Sequence, residues 1–581
     1  MKQTALHTRR SRIIATILFV IVSIFVIRLF YIQVVQHGYY TALADQEQLK
    51  KERIPAMRGL IYAKNAGSPT LLVMNETVYT VFADPAIIKD RDKVAEVMKR
   101  VAGGNVRKDF ESLLERTESR YQIIATKVTH LQADKIKDEG LSGVGFQAVS
   151  QRVYPEGELA AQLLGFVDTE GQGKYGFEGY NDAELQGVDG RLETVTDVSD
   201  VPLTIGDRNI REPAQDGKNI VLSIDRNVQS YAEQALAGGL KRTGATKGSV
   251  LIMDPTSGKV MAMANLPTYN PAKYFNVSDI GAFNNGAISI PYEPGSDVKT
   301  LTMATGIDKG VVKPSDTFIN TDAIRIDGWT IGNATRGMTG TISFQTALTW
   351  SLNTGFVTVA QRLGDGKTIT RSARDTMYQY FHDRFRLGQL TGVELANEAP
   401  GILYSPQHQE GNAIRYATMA FGQGLDATLV QVTAGFGAMI NGGSYYKPTV
   451  IDGYMVDGAY RPLDAPKPVE SGIVKESTSD SMRTMMETAR GSSFGYLDRQ
   501  GYKIGGKTGT SQVAREDGGG YKDDETIATY LGYGGTDMPE YVIMVSLSGD
   551  GTVLQGARDA LPVFTDISNW MINYLKIQPK G

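Results

Sequence analysis

Three short runs in this chain carry side chains suited to acyl transfer. The first is Tyr292-Glu293-Pro294-Gly295-Ser296-Asp297-Val298-Lys299, a Pro-Gly turn leading into Ser-x-x-Lys. The apolar spacing of Leu301, Met303, Ala304 and Ile307 predicts a helix after the turn, with Ser296 in its first turn and Lys299 on the same face. A hydroxyl beside an amine, at a helix end that favours negative charge, is a nucleophile with a built-in base. The second run is Trp350-Ser351-Leu352-Asn353-Thr354-Gly355, at the junction of two helical runs; the third is Ile504-Gly505-Gly506-Lys507-Thr508-Gly509-Thr510, ending a strand. Each also has an ordinary reading, as a capping Ser and Asn or a polar strand end. A second Ser-x-x-Lys, Ser444 to Lys447, lies between Gly442-Gly443 and Pro448, which predict a turn and strand edge rather than a shared helical face.

These groups need a scaffold, and the pattern around them predicts one. Asn219–Asp225 reads as a strand and 227–240 as an amphipathic helix. A hairpin follows over 248–254 and 259–264, then mostly helical sequence from 296 to about 438. Strands at 502–507, 526–532 and 540–547 precede a final helix over 561–574. Strands at both ends with helices between them predict one sheet built from the two ends of an α+β domain. Upstream, residues 53–215 mix β-like runs (70–73, 78–83, 143–149) with charged helical stretches (90–101, 106–117) and show no catalytic constellation, which suits a spacer.

The remainder of the composition narrows the class. A chain of 581 residues calls for two or three domains, and a net charge of -4 gives no nucleic-acid footprint. Cysteine is absent, so disulfides and thiolate chemistry are excluded. The five histidines are scattered without metal-ligand spacing, so no metal site is expected, and no cofactor enters this reading. At the N-terminus Lys2, Arg9, Arg10 and Arg12 precede an apolar run over 13–27 that continues past Arg28 to Val35. That reaches the roughly 20 residues a bilayer needs. Ala42-Leu43-Ala44 resembles a cleavage site but lies well beyond the run, so an uncleaved anchor is expected. The one-sided basic flank places the N-terminus in the cytoplasm and everything after about residue 36 outside. Residues 39–51 read as a helical extension from the membrane.

Ser-x-x-Lys, Ser-x-Asn and Lys-Thr-Gly in this order form the signature of penicillin-recognising serine enzymes. The chain resembles a monofunctional, class B penicillin-binding protein over nearly its whole length. Arg58-Gly59-Leu60-Ile61-Tyr62, Arg152-Val153-Tyr154-Pro155, Gly176-Phe177-Glu178 and Leu185-x-Gly187 are similar to the family's pedestal motifs. Ala420 to Gly424, Thr428-x-x-Gln431 and Asn441-Gly442-Gly443 match its catalytic part. The resemblance implies a cytoplasmic tail (1–12), a transmembrane anchor (13–35), a pedestal (36–215) and a transpeptidase domain (216–581). The implied fold is that of β-lactamases and DD-peptidases, an antiparallel sheet flanked by helices.

The implied activity is D,D-transpeptidation. Ser296 would attack the carbonyl between the terminal D-alanines of a peptidoglycan stem peptide and release D-alanine. Lys299 would take the proton, Ser351 would relay one to the leaving amine, and Asn353 would orient a substrate amide. Lys507, Thr508, Gly509 and Thr510 would hold the terminal carboxylate, with the Ser296 and Thr510 backbone N–H groups as oxyanion donors. The implied partners are stem peptides, β-lactams as covalent inhibitors, the membrane, and a polytopic glycosyltransferase of the division or elongation machinery. Residues 36–215 are too short to hold a glycosyltransferase beside a pedestal. A carboxypeptidase or a weakly active penicillin-sensing scaffold are the rival readings.

Three positions depart from the family pattern: Asp297 beside the nucleophile, Gly286 where arginine is common, and Ser511 where alanine is frequent. An Asp297 paired with Lys299 would keep that amine charged and slow acylation. Ser296→Ala is expected to abolish labelling of the folded protein by a fluorescent penicillin, and Ser444→Ala to leave it intact. Labelling retained in Ser296→Ala would assign the nucleophile elsewhere.

Overall fold

The computed structural model describes residues 2–195, 210–515 and 520–580, which fall into two compact units, Met1–Met57 with Gly187–Gly217 and Arg58–Gln186 with Lys218–Gly581. In the first unit the helix Lys2–Phe30 runs into a π-helical turn, Tyr31–Val35. Within it Arg9–Val35, of mean hydropathy 2.9 and wholly unburied, is long and apolar enough to cross a membrane. The helix His37–Gln48 follows, ending short of the expected 51 because the chain enters a strand at Leu49. That strand, Leu49–Ile54, pairs antiparallel with Gly190–Val195, which pairs with Ile210–Glu212. Arg53 closes this sheet by an ion pair to Asp189. Residues 196–209 of the expected pedestal lie outside the described residues.

The second unit contains two large sheets. One has seven strands in the order 459–462, 451–456, 219–225, 61–65, 68–83 and 122–128, with 144–153 also on 68–83. The strand Asn219–Asp225 belongs here, parallel to Ile61–Asn65, and not to the catalytic sheet where the sequence reading placed it. The reason is its side chains: Ile220, Leu222 and Ile224 are buried in one core with Ile61, Leu72 and Val73. Two β-like runs expected at 70–73 and 78–83 are one strand, Ser68–Ala83. A smaller core of Val94, Val97, Met98, Phe110 and Ile124 packs a helical cap against it. Of the two expected helices there, Arg91–Ala102 forms and the second shrinks to Phe110–Leu114.

The catalytic sheet has five antiparallel strands in the order Val260–Leu266, Lys247–Met253, Pro539–Ser548, Tyr521–Gly535, Lys503–Ala514. Both ends of the domain contribute, as the element order predicts. Alternation along the central strands buries both faces. Val250, Ile252, Ile543 and Val545 pack under the helices Arg226–Thr243 and Leu561–Tyr574. Leu251, Met253, Val542 and Met544 face the core that contains Lys299–Asp308, Leu429–Ile440 and Glu476–Phe494. The stretch expected to be mostly helical also holds, over 317–343, two small antiparallel pairs, Thr317–Asn320 with Gly340–Ser343 and Ala323–Ile326 with Trp329–Gly332.

One buried ion cluster ties distant parts of this unit together. Glu178, fully buried, accepts from Arg58 at 2.6 Å and from Arg152 at 2.7 Å. Arg152 also donates to the Gly59 carbonyl at 2.7 Å. Deleting the carboxylate leaves the buried Arg152 without its ionic partner, while Arg58 keeps only Asp182 at 2.7 Å. Glu178→Ala is therefore expected to lower unfolding stability by about 3–5 kcal/mol in chemical denaturation. A change within about 0.5 kcal/mol would match a surface position instead.

Candidate active site

The turn that carries Ser296 is set by two glycines whose backbones touch. Gly295 adopts φ +57° and its N–H donates to the Gly422 carbonyl at 3.0 Å. A Cβ on Gly422 would lie 1.8 Å from the Gly295 oxygen, and one on Gly295 would lie 2.6 Å from Ser511 Oγ. Only glycine permits that approach. The turn Gly295–Val298 is 3-10 in character and continues as the helix Lys299–Asp308, so Ser296 precedes the α-helix instead of opening it. Ser296 is half-buried, while Lys299 is buried within the core.

Lys299 makes no direct hydrogen bond to Ser296. Its Nζ donates to the Ser351 carbonyl (2.7 Å), Ser351 Oγ (3.0 Å) and Asn353 Oδ1 (2.7 Å). Ser351 Oγ in turn donates to Ser296 Oγ at 3.0 Å. Ser351 sits just past the helix Phe344–Thr349 at φ +57°, a backbone position that non-glycine residues seldom adopt. That conformation lets both its carbonyl and its hydroxyl face the amine. Asn353 is engaged at both ends, since its Nδ2 donates to the Gly332 carbonyl at 2.9 Å. The pair Ala323–Ile326 and Trp329–Gly332 therefore anchors the asparagine that anchors the lysine.

Lys507, Thr508, Gly509 and Thr510 lie on Lys503–Ala514, the sheet's edge strand, beside the turn that carries Ser296. Lys507 is 4 % exposed, and its Nζ donates to the Thr508 carbonyl at 2.9 Å and to Thr508 Oγ1 at 3.3 Å. Thr510 Oγ1 accepts from the Gly556 N–H at 3.1 Å. A Cβ on Gly509 would fall 2.0 Å from Thr529 Oγ1 and 2.8 Å from Asp297 Oδ2, so a side chain there would push the strand off the turn.

The electrostatics follow from burial. Desolvation holds the Lys299 amine well below the ordinary lysine range, and the Lys507 charge adds to the effect. Desolvation lowers Lys507 to about 8, with Asp297 pulling it back up. Asp297 is pushed up to about 7 by its own burial, against the Thr529 hydrogen bond and the Lys507 charge. The conditional pairing of Asp297 with Lys299 does not occur. Asp297 Oδ2 accepts from Thr529 Oγ1 at 2.6 Å, while Lys299 takes only the acceptors at 351 and 353. The other departures have local reasons. A side chain at 286 would meet Ser249 Oγ at 2.9 Å, inside the Ser249–Asn265–Asn285 hydrogen-bond chain. Ser511 is buried against Gly295.

Ser444 stands apart, on the two-residue strand Ser444–Tyr445, and Lys447 pairs with Glu394 at 2.9 Å. Sequence reasoning missed several supports. Glu293 accepts from the Gly424 N–H at 2.6 Å and from Tyr521 at 2.9 Å, bracing the nucleophile turn. Gly332 and Thr529 went unnoticed, and Gly422 was visible only as part of Ala420 to Gly424, with no role. No group of histidine and carboxylate side chains suited to a metal ion occurs among the described residues. Ser351→Ala breaks the link from amine to nucleophile, so acylation by a fluorescent penicillin is expected to slow roughly 10²–10⁴-fold without loss of fold. A rate within about threefold of the parent would show that the hydroxyl is dispensable.

Comparison with known proteins gives the family. The penicillin-binding protein transpeptidase domain family matches residues 248–569, and the penicillin-binding protein dimerisation domain family matches residues 53–222. Stage V sporulation protein D of Bacillus subtilis is 27 % identical over 580 residues, covering 99 % of this chain and 87 % of that protein. The peptidoglycan D,D-transpeptidase FtsI of Escherichia coli is 28 % identical over 571 residues, covering 95 % and 89 %. Among solved structures, penicillin binding protein 2X of Streptococcus thermophilus shares the fold with a TM-score of 0.73 at 23 % identity, covering 91 % of this chain and 80 % of that one. Penicillin binding protein 3 of Mycobacterium tuberculosis, solved with aztreonam, gives 0.66 at 25 % identity, covering 91 % and 98 %. With the dimerisation domain ahead of the catalytic one, the chain belongs to the penicillin-binding protein transpeptidase family, as a class B member.

Proposed function

We propose that this protein is a serine D,D-transpeptidase that cross-links peptidoglycan stem peptides. The observation that carries the reading is the hydrogen-bonded chain from Lys299 Nζ through Ser351 Oγ to Ser296 Oγ. Burial and the Lys507 charge both disfavour a proton on Lys299, which suits its amine to accept one. For attack the Ser296 hydroxyl turns to donate to Ser351 Oγ and the Ser351 hydroxyl to the Lys299 nitrogen. Ser296 Oγ then bonds to the carbonyl carbon of the penultimate D-alanine as its proton passes to Ser351 and the Ser351 proton passes to Lys299. The Ser296 and Thr510 backbone N–H groups receive the developing oxyanion; losing one such donor costs on the order of 10²–10³ in rate. The amine nitrogen of the terminal D-alanine takes a proton back through Ser351 and leaves. An amine from a second stem then attacks the acyl-enzyme, forming the cross-link and freeing Ser296.

Lys507, Thr508 and Thr510 receive the donor's terminal carboxylate, and an extended donor lying along the edge strand adds to the sheet. With both ends engaged, Asn353 first holds Lys299, and it meets a substrate amide only by releasing Gly332. A β-lactam enters by the same attack and stays as a stable acyl-enzyme; the aztreonam and ampicillin complexes of the M. tuberculosis protein support this. Arg9, Arg10 and Arg12 ahead of the apolar helix support a cytoplasmic N-terminus and an extracytoplasmic catalytic domain. Residues 36–215 serve as the pedestal and 216–581 as the transpeptidase domain, and a polytopic membrane glycosyltransferase supplies the glycan.

Given a stem-peptide donor and an amine acceptor, the full-length protein is expected to release D-alanine and form cross-linked product, read by mass spectrometry. Free acid alone would make it a carboxypeptidase, and no product from a folded, penicillin-labelled protein would make it a sensor.

A further inference from the structure

The turn that carries Ser296 and the strand that carries Thr510 touch without bonding. A Cβ on Gly295 would lie 2.6 Å from Ser511 Oγ and 3.0 Å from the Thr510 carbonyl oxygen, so turn and strand are in contact. Among the described residues no hydrogen bond joins Gly295–Val298 to Lys503–Ala514. Contact limits how near the two come, and a separate attraction must stop them drifting apart. It comes from one strand further in. Thr529, on Tyr521–Gly535, stands directly opposite Gly509 in the antiparallel register, so its side chain leaves the sheet on the same face. There its Oγ1 donates to Asp297 Oδ2 at 2.6 Å. The bond runs through the space a side chain at 509 would fill, where a Cβ would lie 2.0 Å from the hydroxyl and 2.8 Å from the carboxylate oxygen.

We propose that Asp297 and Thr529 are positioning residues, whose hydrogen bond through the gap at Gly509 fixes the Ser296 hydroxyl against the Thr510 N–H. This rests on reading Ser296 as the nucleophile and the Thr510 N–H as an oxyanion donor. Asp297 directly follows Ser296, and Gly509 directly precedes Thr510. A shift at the bond therefore reaches both groups through a single residue on either side.

The neighbouring bonds do not duplicate this one. Asp297 is fully buried and its Oδ1 has no hydrogen-bond partner, so its side chain depends on the Thr529 hydroxyl to offset burial. At 2.6 Å the bond lies in the short range of hydroxyl-to-carboxylate contacts. Thr300 Oγ1 donates to the Asp297 carbonyl at 2.7 Å, which closes the turn on itself and not on the sheet. Glu293 also reaches Tyr521–Gly535, but at its first residue, Tyr521, and from upstream of the turn. Attack and oxyanion stabilisation tolerate little displacement, and a misplacement of about 1 Å costs on the order of 10² in rate. Lys507 and Thr508, assigned to the donor's carboxylate, bond to one another without Asp297 or Thr529. The loss therefore falls on the acylation rate and spares binding.

Stopped-flow acylation of the full-length protein in detergent by a fluorescent penicillin separates the limiting rate from the half-saturating concentration. Thr529→Val keeps the side chain's shape and removes its hydroxyl. It is expected to slow the limiting rate roughly 10–10²-fold, with the half-saturating concentration within about threefold of the parent. Thr529→Ser, which keeps the hydroxyl, is expected to hold the limiting rate within about threefold of the parent. If Thr529→Val does not fold, the pair Asp297→Leu with Thr529→Val, which leaves no partner of this bond unpaired, is measured in its place with the same slowing expected. A limiting rate within about threefold of the parent in the hydroxyl-free protein overturns the proposal, as does a serine variant as slow as the valine one. So does a half-saturating concentration that rises beyond that range. A parent protein that fails to label would instead remove the reading of Ser296 beneath it.

Discussion

The structure depends on keeping the Lys299 amine dry and aimed. An amine in water carries a proton and cannot serve as a base at neutral pH. Here the side chain is buried in the core between Lys299–Asp308 and Asn353–Arg362, and the Ser351 carbonyl and Asn353 Oδ1 fix its direction as acceptors, leaving the lone pair of the neutral amine to the Ser351 hydroxyl. Those acceptors are held in turn by a left-handed backbone at Ser351 and by the Gly332 carbonyl. A misplaced hairpin at 323–332 would therefore reach Lys299 through two hydrogen bonds and Ser296 through two more.

The second requirement is contact between backbones. Gly295 against Gly422, and Gly509 against Thr529 and Asp297, let the nucleophile turn and the edge strand approach closer than side chains permit. The five-stranded sheet gives that edge strand a rigid backing, with helices on both faces. The pocket is thus a seam between a tight turn and a sheet edge, closed at the back by a carboxylate. Its charges form a coupled set, because Lys507 disfavours a proton on Lys299 while Asp297 favours one on Lys507.

Much of this was legible in the residues. Ordered Ser-x-x-Lys, Ser-x-Asn and Lys-Thr-Gly runs singled out Ser296 over Ser444, whose Gly-Gly and Pro neighbours did make a turn and strand edge. Alternating apolar residues located the catalytic strands, because both sheet faces are buried and the pattern is strong. The strand Asn219–Asp225 was recognised but assigned to the wrong sheet, since a strand's own sequence does not state its neighbour. The pairs at 317–343 were not singled out within the mostly helical stretch, because their strands are only four residues long. The direction of Asp297 was out of reach as well. Adjacent to Ser296 and two residues from Lys299, it points instead to Thr529, more than two hundred residues later in the chain.

The central claim is that Lys299 is a neutral base acting on Ser296 through Ser351. NMR titration of protein carrying ¹³Cε-labelled lysine, with the Lys299 signal assigned by Lys299→Arg, measures it directly. The account predicts a Lys299 resonance that titrates well below the ordinary lysine value of 10.5. A Lys299 that titrates with the surface lysines would contradict it.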